Sequence, residues 1–73
     1  MGRIDEAIAY LERAVEILDT DPVVFDHLGE VYARRREWEK ARRSWERALE
    51  LEPSEDIQEK LNHLLSQEAV PTP

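Results

Sequence analysis

Apolar positions along this chain recur at helical rather than strand spacing, and they do so in four separate stretches. Phe25, Leu28, Gly29 and Tyr32 fall at i, i+3, i+4 and i+7, which lines them along one face of a helix. Pro22 suits the first turn of that helix, where its missing N–H would have had no partner, and Asp21 before it can cap the helix. Ala41, Trp45 and Ala48 repeat the spacing after a turn at Glu37 and Trp38, and Pro53 ends that segment. Ile57, Leu61, Leu64 and Leu65 form another stripe, with Ser54 as its N-cap and with Glu55 and Asp56 in the first turn, where the helix dipole favours negative charge. Upstream, the aliphatic residues from Ile4 to Leu18 make a further helix. The pattern predicts an all-α chain of four antiparallel helices over residues 3–18, 22–35, 38–51 and 55–67. Val70, Pro71, Thr72 and Pro73 cannot extend the last helix and are expected to form a disordered tail.

Gly29 inside a helix costs about 1 kcal/mol against alanine. The expected compensation is a second helix pressed against the bare backbone. Ala41 and Ala48 would let that helix approach, and the Trp45 indole would fill the space between. A period of 34 residues then relates this unit to the start of the chain, because Gly2, Ile4, Ala7, Leu11 and Ala14 stand 34 residues before Arg36, Trp38, Ala41, Trp45 and Ala48.

Phe25-x2-Leu28-Gly29-x2-Tyr32, then Ala41-x3-Trp45 with Ala48, then Pro53, resembles the tetratricopeptide repeat, a helix-turn-helix unit of about 34 residues. The resemblance implies an α-α solenoid divided into residues 1–19, the second helix of a truncated repeat; 20–53, one complete repeat; 54–68, a capping helix; and 69–73, the tail. Asp19 departs from the pattern, since it stands where the family has its closing proline. The last helix places Leu61 where a small residue would be needed to receive a tight partner, which suits a cap over the final hydrophobic face.

Composition narrows the chemistry. Without cysteine there is no disulfide or thiol reactivity, and Gly2 and Gly29 alone cannot build a phosphate-binding loop. Ser44, Ser54 and Ser66 lie in no nucleophile elbow, and His27 and His63 have no ligand constellation around them; Glu59 with His63 supplies two groups where zinc takes three or four. The sequence therefore supports neither catalysis nor a cofactor or metal site. No apolar run approaches the roughly 20 residues that cross a bilayer, so the chain reads as soluble and, by default, cytoplasmic. Charged residues make up 37% of the chain, which favours helices laced with pairs such as Glu39 with Arg43.

The charge is unevenly spread. The net charge is −7, yet residues 34–47 carry +4, against −6 before them and −5 after them. A phosphate-binding face is one reading of Arg34, Arg35, Lys40, Arg42 and Arg43, and a nucleic-acid-binding helical domain is the alternative function. It is disfavoured because these residues spread around two helices and the total charge is negative.

The resemblance implies a protein-interaction scaffold that holds a peptide in the groove lined by its first helices. Val23, Asp26, Glu30 and Ala33, with His27 and Arg34 at the edges, form the face directed there. Members of the family that clamp a C-terminal carboxylate have lysine and asparagine at the sites of Asp26 and Glu30. Two carboxylates would repel such a ligand, so a basic or neutral peptide is the expected partner. The first helix is also apolar over more of its circumference than one neighbour covers. Ile4, Ile8, Leu11, Val15 and Leu18 are accordingly expected to pair with a second copy in a homodimer.

Overall fold

A computed structural model describes residues 2–68 of the chain, and the side chains of residues 3–66. The expected tail lies outside the described residues. Four helices follow in order: α1 (Gly2–Ile17), α2 (Pro22–Arg34), α3 (Trp38–Leu51) and α4 (Glu55–Glu68). No strand occurs among the described residues. Each boundary lies within one residue of its expected place, because the caps are local. The Asp21 carboxylate accepts the Val23 N–H at 2.9 Å, and the Ser54 hydroxyl accepts the Ile57 N–H at 3.3 Å.

Each helix packs on its neighbours in the chain, giving a slab of 42 × 32 × 15 Å. A continuous core runs through all four, from Ile8 on α1, through Leu28 and Tyr32 on α2 and Ala41, Trp45 and Ala48 on α3, to Ile57, Leu61 and Leu64 on α4. Ala41 and Ala48 are fully buried, as the close approach of α3 to α2 requires. Phe25 is half-buried against this core, beneath the Arg47 guanidinium. Pro53 is exposed in the turn before α4, and Leu65 lies at the edge of its stripe, 39% exposed.

The α2–α3 turn holds a feature that the spacing did not announce. Arg36 adopts φ 62°, the left-handed region that favours glycine. The Glu37 N–H bonds to the Tyr32 carbonyl at 2.9 Å and the Arg36 N–H to the Ala33 carbonyl at 3.0 Å, the paired bonds of a Schellman helix terminus.

One expected surface residue is instead interior. Ile8 is only 6% exposed and belongs to the core. Helix α2 crosses the sector of α1 that carries Ile8, with Ile4, Leu11 and Val15 partly buried beside it.

Candidate functional site

Asp26 and Glu30 lie one turn apart on α2, so their carboxylates share a face and repel by a few tenths of a kcal/mol. A cation from α4 is set between them. Lys60 Nζ lies 3.0 and 3.1 Å from the two Asp26 carboxylate oxygens and 3.3 Å from Glu30 Oε1. Burial lowers the Lys60 pKa, but the hydrogen bond and charge of Asp26, followed by those of Glu30, outweigh it and leave the ammonium above its ordinary range. Trp45 completes the arrangement from α3. Its indole N–H donates to Asp26 Oδ1 at 2.9 Å and to the Asp26 backbone carbonyl at 3.2 Å. One carboxylate thus joins three helices.

This geometry changes the reading of the two acids. Asp26 is not a ligand-facing charge free of the fold; its side chain is 19% exposed and satisfied by Trp45 and Lys60. Glu30 is more open. Val23 and His27 are exposed on the same helix, Ala33 is half-buried, and Arg34 is exposed with no ion pair among the described residues. Lys60 divides the groove between α2 and α4 into two hollows. One, of about 210 Å³, is lined by Val23, Asp26, Glu52, Asp56 and Ile57. The other, of about 200 Å³, has Trp45 and Ala33 in its wall with Glu30, Arg34 and His63 around it. Sequence reasoning missed Lys60 and Trp45 as part of this site. The available signal was that Lys60 is the sole basic residue after Arg47, in a segment of six carboxylates.

A second surface belongs to α1. Ala9, Tyr10, Arg13, Ala14, Ile17 and Leu18 line a shallow depression of about 590 Å³, with Tyr10 74% and Ile17 81% exposed. Comparison with α3 explains it. Ser44 on α3, between α2 and α4, is 7% exposed, whereas Tyr10, one period earlier on α1, which packs mainly on α2, is 74% exposed. Of the residues expected to self-associate, Ile4, Leu11 and Val15 are partly covered by the core, Leu18 is exposed and Ile8 is not available.

Tyr32 joins α1 to α2 through a hydrogen bond from its hydroxyl to Glu12. Burial foremost, then that bond and the negative charges of Glu12 and Glu37, raise the phenol above its ordinary pKa, with Arg35 opposing. The basic stretch is also largely spent internally. Arg35 faces Asp5 at 2.7 Å and Glu37 at 3.1 Å; Lys40 faces Glu37; Arg42 and Arg43 face Glu39; and Arg47 faces Glu50. Among the described residues no three His, Cys, Asp or Glu side chains gather as metal ligands, and no helix is long and apolar enough to cross a membrane.

No curated protein and no solved structure matches the chain. Residues 22–55 match the family model of the tetratricopeptide repeat. That segment spans α2, the Schellman turn, α3 and the first residue of α4, and it contains Asp26 and Trp45 but not Lys60. This helix pair, residues 22–55, is therefore a tetratricopeptide repeat unit within the chain.

Proposed function

We propose that this chain is a non-catalytic protein-interaction scaffold that binds a basic peptide along α2 and associates with a second copy of itself through α1. In this reading α1 acts as the second helix of a repeat, α2 and α3 form a complete one, and α4 caps the array. The observation that carries the peptide reading is the carboxylate pair Asp26 and Glu30 beside two open hollows. Acid on this face discourages acidic tails and attracts lysine-rich segments. Titration with labelled oligolysine and oligoglutamate peptides tests it: binding of the acidic peptide in preference to the basic one would overturn the partner assignment.

Self-association is supported by the exposed aliphatic and aromatic face of α1. Burying one such side chain fully is worth about 1.5–3 kcal/mol. A second copy is the favoured occupant because the two ends of the molecule do not match. The outer side of α4 is polar, with Gln58 donating to Asn62 at 3.1 Å, so α1 of one molecule would gain little by stacking on α4 of the next. A two-fold pairing of α1 with its copy instead joins apolar surface to apolar surface and closes the assembly. Light scattering coupled to gel filtration decides it, since a single 8.6 kDa species at high micromolar concentration sinks the dimer.

The nucleic-acid reading carries less weight. Arg34 and Arg36 have no ion pair among the described residues, whereas the other cations of the 34–47 stretch each face a carboxylate.

A further inference from the structure

Lys60 is held by its own chain in the position that a partner's cation would take. We infer that Asp26 and Glu30, braced by Trp45, form a primary-ammonium site that Lys60 of α4 occupies in the unliganded chain, and that a lysine of a partner peptide binds by displacing it. The inference rests on the proposed basic partner and adds its regulation and its preferred side chain.

Three observations support exchange at this site. First, the helix that carries Lys60 does not depend on it for docking, because Ile57, Leu61 and Leu64 bury α4 against the core. Second, Lys60 is 33% exposed and Glu30 47% exposed, and a hollow lies on each side of the ammonium. A partly exposed pair on a flexible four-carbon stem is weak enough to open. Third, one lysine does not neutralise its surroundings. Asp26, Glu30, Glu52 and Asp56 line the two hollows against Lys60 and Arg34, so the lining stays acidic and a further cation is drawn in while Lys60 is still in place.

The contacts also favour lysine over arginine. Asp26 Oδ1 already accepts the Trp45 indole N–H, so the carboxylate is poorly placed to present both oxygens to a planar guanidinium fork. A compact ammonium bridges Asp26 and Glu30 without needing that geometry, as Lys60 itself does.

A site closed by its own occupant about nine-tenths of the time weakens the apparent affinity of a competitor about tenfold. Fluorescence anisotropy with a labelled octalysine peptide at low ionic strength reads this directly on the full chain. Lys60→Met should tighten binding about tenfold, and Lys60→Arg should not. Arg43→Met removes the same charge at a residue that lines neither hollow and should leave affinity near that of the parent. Circular dichroism confirms that each variant is helical. Equal binding by the parent and Lys60→Met overturns the latch and leaves the basic-partner reading standing. An equal gain in Arg43→Met overturns the latch too, because net charge alone would then explain the effect. Binding by none of the proteins overturns both readings.

Discussion

The Trp45 indole lies directly against the backbone of Gly29. A methyl group added at Gly29 would come within 2.5 Å of Trp45 Nε1 and 2.7 Å of its Cδ1. Helix propensity and packing therefore pull in opposite directions at this residue. Propensity alone makes Gly29→Ala stabilising by about 1 kcal/mol. The contact reverses the sign, because the indole is pinned by its bonds to Asp26 and cannot swing aside without breaking them.

Gly29→Ala should consequently destabilise the fold by about 1–3 kcal/mol in urea denaturation. Combining it with Trp45→Leu should recover part of that loss, since a smaller side chain vacates the space. A Gly29→Ala protein more stable than the parent would show that the indole moves freely and that the contact is not tight.

Arg36 offers the opposite case. Its left-handed φ of 62° costs a non-glycine residue about 1–2 kcal/mol, from which the greater chain entropy of unfolded glycine is subtracted. Arg36→Gly should raise stability by about 0.5–1 kcal/mol, and Arg36→Val should lower it. Thermal melts of the two variants moving in the same direction would be inconsistent with this turn.

Alkaline pH should weaken the fold through two groups. Lys60 and Tyr32 titrate in the folded chain above their ordinary values of 10.5 and 10.0. A raised folded pKa means that the folded state holds its proton more tightly than the unfolded state. The associated stability is complete below the ordinary values and is lost as pH rises through the folded ones. Urea midpoints should fall above about pH 10, and Lys60→Met and Tyr32→Phe should each flatten part of that decline. A parent midpoint that rises over the same range would contradict the assignment.

The α1 face separates assembly from folding. Ile17→Asp should dissociate the proposed dimer while leaving the helical signal intact, because Ile17 is 81% exposed. Ile8→Asp buries a charge in the core and should unfold the chain at several kcal/mol. Light scattering and circular dichroism together distinguish the two. An Ile17→Asp protein that keeps a dimeric mass would move the interface elsewhere.

Much of this architecture is local, and what is local was legible in the chain. The i, i+3, i+4 spacing of Phe25, Leu28, Gly29 and Tyr32, the caps at Asp21 and Ser54, and the small-residue stripe of Ala41 and Ala48 set helices and their pairing within a few turns. The Gly29–Trp45 contact could be anticipated because a costly glycine implies a close neighbour. What tertiary structure decided lies beyond that range. Periodicity marks α1 as apolar around much of its circumference, but only the path of α2 across it buries Ile8 and leaves Tyr10 and Ile17 exposed. Asp26 and Glu30 read from the chain as one acidic face. Their cation comes from 34 residues beyond Asp26, on a helix whose docking is set by Ile57, Leu61 and Leu64 rather than by charge. Side-chain spacing determines which residues share a face. Which faces meet, and whether a charged one is already answered from within the chain, depends on how the helices cross.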